Sequence, residues 1–319
     1  MSTKALLRRF DAWRAEGRTL VLATVVDTAG STYTKAGHRI LIADSGDYQG
    51  LVSGGCLEGD LASHAREVIA SGEARLITYD LRGGNDELFG LGIGCDGLLR
   101  ILLQRLSPEG DYEPFTRMAH IQRGDTPCHC AVLLADRGEF RTGDTLFDAV
   151  NPADGSSQAD VLYTTLRPLP RLLVLGAGPD ATPVVTLADL LGWRITVVDH
   201  RPAYLDRPAF AIADGRVCAP ADTLAKQVTL ALFAAAIVMS HHLATDRSYL
   251  AALAPSAIPY IGLLGPPGRR DRLLRELGDA AGALGDRLHG PAGLDIGADS
   301  PESIALSILG EIHAMTRHS

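Results

Sequence analysis

A glycine-rich turn in the second half of the chain has the residue types of a phosphate-binding loop. Gly176, Gly178 and Ala181 occupy the three small-residue positions between a strand-like and a helix-like stretch, and Asp180 lies just before the third. Gly176 permits the tight turn, Gly178 lets backbone approach a phosphate, and Ala181 lets the helix pack closely on the strand. The helix N-terminus then offers amide groups and a partial positive charge to an anion. The pattern predicts a mononucleotide-binding strand–turn–helix in which these four residues contact a cofactor.

A carboxylate follows at the end of the next predicted strand. Asp199 comes 23 residues after Gly176 and directly precedes His200 and Arg201. An acidic residue at this spacing is typical of a ribose-diol site. Such a site does not need a neighbouring cation, so Arg201 favours a ligand with a second anionic group. All three residues join the predicted cofactor-binding set. The alternatives are a glycine turn without a cofactor and an aspartate that only caps the strand end.

Two adjacent histidines, His241 and His242, follow an apolar strand-like run. In an open parallel sheet, ligands bind outside the carboxyl ends of the strands. Either ring is therefore a candidate acid–base group at the site. The alternative is a capping or hydrogen-bonding role within the loop. Asp246 is placed to orient one of the rings or to cap the following helix, and capping is the favoured interpretation.

Two cysteines lie in glycine-rich loops of the first half of the chain. Ser53, Gly54 and Gly55 directly precede Cys56, and a helix-like stretch follows. A helix N-terminus stabilises a thiolate and lowers its pKa, so Cys56 is a candidate reactive thiol. Cys95 lies in a second such loop and is the other candidate. The alternative for both is the buried structural thiol that most free cysteines are.

Two other stretches carry weaker patterns. Strand alternation sends Cys128 and Cys130 to one face and His129 to the other. No fourth ligand lies at zinc-finger spacing, so a structural zinc is not expected. The loop 31–39 offers hydroxyls and cations to an anion; the alternative is an ordinary solvated loop.

The chain that must position these groups has 319 residues, which predicts two domains. Its longest apolar run, 230–239, is too short to span a bilayer, so no membrane association is expected. The net charge of −8 and the absence of a basic stripe argue against a nucleic-acid partner. Five cysteines, an odd number, argue for reduced thiols, and the N-terminal stretch has no signal-peptide core. A cytoplasmic protein is therefore expected.

The apolar patterns predict an α/β fold. An opening helix is indicated by Leu6, Phe10 and Trp13, and another helix by the apolar spacing in 57–68. Strands are predicted in the first half at 19–26, 39–42, 49–56, 75–79, 98–103, 128–135 and 161–166. The second half reads as βα units, with later strands at 237–240 and 258–264 and a last helix after Ser300. The prediction is an N-terminal mixed α/β domain over 1–167 and a C-terminal Rossmann-like domain with a parallel sheet over 168–319.

The order of these motifs along the chain resembles one family, the xanthine dehydrogenase accessory proteins, or XdhC/CoxI family. The resemblance is carried by the stretches 24–33, 53–59, 90–97, 176–181, 198–204, 239–242, 260–265 and 288–298. Each motif alone is weak, and their number and order make the resemblance specific. The chain departs from the family pattern at Asp96 in the stretch 90–97, where many relatives have a glycine directly after the cysteine.

The resemblance implies a maturation chaperone, which is not itself a catalyst, for a molybdenum hydroxylase such as xanthine, aldehyde or carbon monoxide dehydrogenase. Its cargo would be molybdenum cofactor, as molybdopterin or its dinucleotide form, and its client the apo-hydroxylase. Cys56 would contact the molybdenum or its sulfur. A cysteine desulfurase partner and a homodimer are compatible with this interpretation.

Two other functions compete with the chaperone. One is an NAD(P)-dependent oxidoreductase that uses the Rossmann half, with His241 or His242 as the acid–base group. The other is a sulfur-transfer protein that works through Cys56.

Overall fold

The computed structural model describes residues 2–55, 57–82, 97–150, 157–158 and 160–317. The chain divides into two compact units, Met1–Pro168 and Leu169–Ser319. In the part of the chain that is described, no helix is long and apolar enough to cross a membrane.

The N-terminal unit is built on antiparallel sheets. Its described helices are α1 (Thr3–Ala15), α2 (Glu58–Ser71) and α3 (Phe115–Arg123). Its described strands are β1 (Leu20–Gly30), β2 (Arg39–Ala43), β3 (Tyr48–Gln49), β4 (Arg75–Asp80), β5 (Gly97–Leu106), β6 (Cys128–Leu133), β7 (Thr145–Phe147), β8 (Ser157–Gln158) and β9 (Val161–Leu166). Within the described residues, five strands pair in the order β3-β2-β1-β5-β4 and four in the order β7-β6-β9-β8.

Strand β1 is covered on both faces, which explains its uninterrupted apolar sequence. Val21, Ala23 and Val25 pack with the buried face of α2. Val26 and Leu102 pack with apolar residues of the second sheet. The predicted strand 49–56 is wrong over residues 50–55, because β3 ends at Gln49 and a loop held by side-chain hydrogen bonds follows; Cys56 lies outside the described residues.

The C-terminal unit is a parallel sheet with helices on both faces. Its strands are β10 (Arg171–Leu175), β11 (Arg194–Asp199), β12 (Gly215–Cys218), β13 (Ala235–Val238), β14 (Tyr260–Leu263) and β15 (Leu288–His289). Its helices, within the described residues, are α4 (Ala181–Leu190), α5 (Pro202–Leu205), α6 (Leu224–Gln227), α7 (Leu243–Leu253), α8 (Pro267–Leu277), α9 (Ala280–Leu284) and α10 (Pro301–Arg317). Alternate residues of β10 point to opposite cores: Leu172 and Val174 pack with α4 and α10, and Leu173 and Leu175 pack with α7 and α8.

The strands follow the order β12-β11-β10-β13-β14-β15 with every pair parallel. This is the strand order of a Rossmann fold, and its direction reverses between β10 and β13. Ligands of such sheets bind at that reversal, outside the carboxyl ends of the strands. The predicted fold class is confirmed: a mixed α/β N-terminal part and a Rossmann-like parallel sheet in the C-terminal part.

Candidate functional site

The two glycines of the turn after β10 have different roles in the fold. Gly176 has φ +116°, and a Cβ there would lie 2.7 Å from the carbonyl oxygen of Met239. The fold therefore requires glycine at 176, because the end of β10 presses against the end of β13. A Cβ on Gly178 would meet only the ring of His241, at 3.6 Å, an ordinary van der Waals contact. Gly178 is itself buried, with the ring of His241 packed beside it.

The turn offers fewer amide donors than its pattern predicts. The N–H of Ala177 donates to Asp199, and those of Ala181 and Thr182 each donate to the carbonyl three residues before them. Pro179 has no N–H. Within the described residues no acceptor lies within hydrogen-bond distance of the N–H groups of Gly178 and Asp180. These two amides are the donors left for an anion.

Both carboxylate oxygens of Asp199 accept hydrogen bonds from groups of the protein. Its carboxylate is 1% exposed and receives Arg201 in a two-pronged ion pair, with Nε to Oδ1 at 2.9 Å and Nη2 to Oδ2 at 2.8 Å. The amides of Arg201 and Ala177 donate to the same two oxygens. Burial alone would raise the pKa of Asp199, but the bonds from Arg201 and Ala177 outweigh it and lower the pKa. Arg201 also stacks on Tyr204, 3.6 Å from the ring centre. A ribose diol would have to displace this arrangement.

The two adjacent histidines have separate positions and partners. His241 has φ +61°, and its Nε2 lies 3.1 Å from Oδ2 of Asp180, beside Gly178. His242 is the N-cap of α7: its Nδ1 accepts from the Thr245 amide at 3.4 Å and contacts the Thr245 hydroxyl at 2.9 Å. His241 therefore lies at the glycine turn, and His242 holds a helix end. His200 is exposed, with its Nδ1 3.5 Å from Asp199.

Asp246 neither orients a histidine ring nor caps α7, contrary to both interpretations of the sequence. Its buried carboxylate accepts from the amide of Ser240 at 3.1 Å and from the Ser240 hydroxyl at 2.5 Å. It also pairs with Arg269 at 2.5 Å. Asp246 therefore ties the end of β13 to the start of α8, and so fixes the backbone that carries His241.

A crevice of about 690 Å³ opens beside the glycine turn. Its polar rim includes Asp180, His241 and Arg269. Much of its apolar wall is formed by the loop after β15 together with Ile304, and the carboxylate of Asp295 in the same loop also lines the crevice. The volume falls within the range of small-molecule sites in proteins. The crevice lies at the carboxyl ends of β10, β13 and β14, where the strand order reverses.

A partly buried carboxylate on α10 holds the loop that walls this crevice. Oε2 of Glu311 accepts from the Gly293 amide at 2.7 Å and from the Tyr260 hydroxyl at 2.6 Å. Its Oε1 lies 3.0 Å from Nδ1 of His289, whose ring stacks on Tyr260. The network joins β14, β15, α10 and the loop, so the wall is anchored to the core.

The Ser53–Gly54–Gly55 loop of the N-terminal unit is fixed by a carboxylate that the sequence did not single out. Oε1 of Glu58 accepts from the amides of Val52 at 2.7 Å and Ser53 at 3.0 Å, and Oε2 accepts from the Ser53 hydroxyl at 2.8 Å. Burial opposes ionisation of Glu58, but the bonds from Ser53 and Val52 lower its pKa. Gly54 and Gly55 are exposed with φ of +78° and +116°, so their backbone is open to a ligand. Cys56 and Cys95 lie outside the described residues.

The three thiols within the described residues differ in their surroundings. The Sγ atoms of Cys128 and Cys130 are 3.9 Å apart on one face of β6, and His129 is exposed on the other, where its Nδ1 meets Thr165. Burial, followed by the neighbouring Cys128, raises the pKa of Cys130 to about 12. Cys218 is exposed. Among the residues that the structure describes, no three His, Cys, Asp or Glu side chains are grouped to hold a metal ion.

The structure thus brings Gly176, Gly178, Asp180 and His241 together, and it places Asp199 and Arg201 in an ion pair beneath the turn. Sequence reasoning missed the carboxylates of Glu58 and Glu311 and gave Asp246 the wrong partners. The true partners are backbone amides and side chains of other elements, which leave no signal in residue spacing. One local signal was available for Glu58: a carboxylate at the first position of a helix, just after a glycine loop.

Comparison with known proteins places the chain in one family. The model described as "XdhC and CoxI family" matches residues 13–80, and the model described as "XdhC Rossmann domain" matches residues 172–312. A protein of Bacillus subtilis (strain 168), described as a probable xanthine dehydrogenase subunit, is 31% identical over 95% of this chain and 94% of that protein.

Two other relatives agree with this assignment. The molybdenum cofactor insertion chaperone PaoD of Escherichia coli (strain K12) is 25% identical, over 95% of this chain and 85% of that protein. A crystal structure described as a xanthine dehydrogenase from Bacillus halodurans superposes with a TM-score of 0.83 at 28% identity, over all of this chain and 96% of that one. The resemblance seen in the sequence is confirmed: this chain belongs to the XdhC and CoxI family.

Proposed function

We propose that this protein is a maturation chaperone that binds molybdenum cofactor in the cytoplasm and delivers it to a molybdenum hydroxylase. The observation that carries the proposal is the crevice at the strand reversal, whose rim includes Asp180 and His241 from the ends of the glycine turn and of β13. Near full-length similarity to an insertion chaperone supports the same role. The client is an apo-hydroxylase of the xanthine, aldehyde or carbon monoxide dehydrogenase type.

The residues at the glycine turn fit a phosphorylated ligand. Molybdopterin carries a phosphate on a pterin body, so it needs an anion site beside an apolar wall. The amides of Gly178 and Asp180 would bind the phosphate. The Asp180 carboxylate opposes an anion at this place, and its Oδ2 is engaged by the ring of His241, with Nε2 3.1 Å away. The apolar residues of the crevice would take the body of the ligand.

A dehydrogenase is disfavoured by the state of Asp199. An NAD-type ligand uses an acidic residue at this position to hold a ribose diol. Here both oxygens already accept hydrogen bonds from Arg201 and Ala177. We therefore propose Arg201 as the residue that keeps Asp199 in place, and we expect no turnover with NAD(P) alone.

Cofactor retention tests the proposal. The protein is loaded with molybdenum cofactor and desalted, and the retained pterin is oxidised and measured by fluorescence. Gly178→Val is expected to lower retention, because its two methyl groups would crowd the ring of His241 and the amides of the turn. Gly282→Val is the matched control, since a Cβ at this glycine of the same unit meets no atom within 4 Å. The proposal fails if wild type retains no pterin, or if Gly178→Val retains as much as Gly282→Val.

We also propose Cys56 as the thiol that contacts the metal or its sulfur. It directly follows the Ser53–Gly54–Gly55 loop, which Glu58 holds. Alkylation followed by mass spectrometry is expected to modify Cys56 faster than the exposed Cys218. Cys56→Ser is expected to abolish activation of an apo-hydroxylase. Equal alkylation rates together with full activation by Cys56→Ser would remove the thiol from the proposal.

Two partners complete the proposal. A cysteine desulfurase would supply the sulfur for the cofactor, and a second copy of the chain would form a homodimer. Co-purification with the desulfurase and light scattering of the purified protein test these two points separately.

A further inference from the structure

A second pocket, of about 660 Å³, lies within the N-terminal unit. The loop between β1 and β2 forms one side of it, through residues 35–39. The C-terminal end of β9 forms another side, and the first turn of α1 closes it. In the sequence analysis, the hydroxyl groups and cations of this loop already suggest an anion site.

The charged residues that line this pocket are of one sign. Lys35, Arg39 and Arg167 contribute three cations, and no aspartate or glutamate is among the described residues that line it. The N-terminus of the 13-residue helix α1 adds the positive end of its dipole, with Ser2 as N-cap. The chain as a whole has a net charge of −8, which repels anions. A local excess of cations at this pocket would attract an anion in spite of that net charge.

His38 provides a second, independent observation. Its Nε2 atom is buried at the pocket and, among the described residues, has no hydrogen-bond partner. Buried polar atoms without partners are rare in proteins, and one at a pocket wall points to a group that binds there. Burial, with a contribution from the charge of Arg39, lowers the pKa of His38.

The rest of the lining is uncharged. Leu6, Phe115 and Met118, all buried side chains, make up its apolar part, and Thr28, Thr164 and Gln122 contribute polar groups. A free inorganic ion would use only the cations. An organic anion would use both kinds of surface.

We propose that this pocket binds a small organic phosphate, with the phosphate among Lys35, Arg39, Arg167 and His38 and the organic body against Phe115 and Met118. This site does not depend on the role proposed for the crevice of the C-terminal unit. It gives the N-terminal unit a ligand of its own.

Calorimetric titration of the full chain tests this inference with three probes: phenyl phosphate, inorganic phosphate and phenol. We expect phenyl phosphate to bind most tightly, inorganic phosphate more weakly, and phenol not at all. Equal affinity for the two anions would overturn the organic-phosphate assignment and leave a site for free phosphate. No binding of either anion would overturn the site itself.

Substitutions locate the bound anion. Lys35→Gln and Arg167→Gln alter exposed side chains, and each is expected to weaken binding of phenyl phosphate about tenfold, the loss of one charged hydrogen bond. Arg66→Gln removes the same charge from an exposed position of the same unit outside the pocket, and it should leave the affinity unchanged. Equal effects of all three would show general charge attraction and overturn the inference.

Gly178→Val separates this site from the one proposed in the C-terminal unit. It is expected to leave the affinity for phenyl phosphate unchanged. The NMR signal of the His38 ring is expected to shift when phenyl phosphate is added to this variant. If Gly178→Val abolishes phenyl phosphate binding, the anion binds at the glycine turn and the N-terminal site is refuted, whatever the outcome for the cofactor.

Discussion

Removal of the Glu58 carboxylate is expected to destabilise the N-terminal unit and release the Ser53–Gly54–Gly55 loop. Glu58 is 1% exposed and accepts three hydrogen bonds, from the amides of Val52 and Ser53 and from the Ser53 hydroxyl. Among the described residues of this loop, none after Gln49 belongs to a β-strand. The carboxylate therefore substitutes for a strand in fixing the backbone that leads to Cys56.

The size of the effect follows from the bonds that each substitution removes. Glu58→Ala leaves two buried or partly buried amides without an acceptor, at about 1–3 kcal/mol each, so we expect about 3–5 kcal/mol in all. Glu58→Gln keeps one acceptor oxygen for the amides and turns the other into a donor that faces Ser53. We expect Glu58→Gln to cost about 1–2 kcal/mol.

The two tryptophans allow each unit to be followed separately. Trp13 is buried in the N-terminal unit and Trp193 in the C-terminal unit. Urea unfolding in a Trp193→Phe background, followed by Trp13 fluorescence, reports the unit that holds Glu58. Glu73→Gln, an exposed glutamate of the same unit, is the matched control and should leave the midpoint unchanged.

The pH dependence provides a further check on this reasoning. The pKa of Glu58 is lowered in the folded protein from its usual 4.5, so its ionised form stabilises the fold at pH values above 4.5. That stability is lost as the pH falls through the folded pKa, which lies below 4.5. The difference between wild type and Glu58→Gln should therefore shrink in acid. A difference that is absent at neutral pH, or that grows in acid, would refute the role assigned to Glu58.

Four other substitutions test the C-terminal unit, each by urea unfolding followed through the fluorescence of Trp193, the tryptophan of that unit. Arg201→Gln should cost about 3–5 kcal/mol, because it leaves the buried Asp199 charge without its partner; a shift under 1 kcal/mol would contradict the ion pair. Gly176→Ala should cost more than about 2 kcal/mol, since its Cβ would lie 2.7 Å from a carbonyl oxygen, whereas Gly178→Ala should change stability by less than about 0.5 kcal/mol. His242→Ala should cost about 0.5–2 kcal/mol as the loss of a helix cap, and an unchanged midpoint would argue against capping.

The Rossmann unit could be predicted because its signals are local. A strand, a glycine turn and a helix adjoin along the chain, and the turn residues specify the backbone that they need. The N-terminal sheets could be predicted only as separate strands. The apolar run of β1 indicates burial on both faces, but only the structure shows that α2 covers one face and the second sheet the other. Pairing between distant antiparallel strands leaves no fixed spacing in a sequence.

The roles of site residues were harder to predict than helices and strands, because one backbone dihedral angle can direct the side chains of two adjacent residues to different places. His241 and His242 are adjacent and have the same side chain, yet a φ of +61° at His241 places one ring at the glycine turn while the other caps a helix. Asp246 shows the same limit, because its position four residues after His242 suggests a histidine or cap partner, and its real partners are Ser240 and Arg269.

The pairing of Asp199 with Arg201 bears on what kind of ligand suits this Rossmann unit. From the sequence, the adjacent cation indicates a second anionic group on the ligand. In the structure the cation is held by the carboxylate and stacked on Tyr204, so neither group is presented to a ribose. The unit therefore keeps the glycine turn of a Rossmann fold, while both oxygens of Asp199 are held by groups of the protein itself. A cargo site must release its ligand to a client, and a turn with few donors and no ribose anchor suits transfer better than retention.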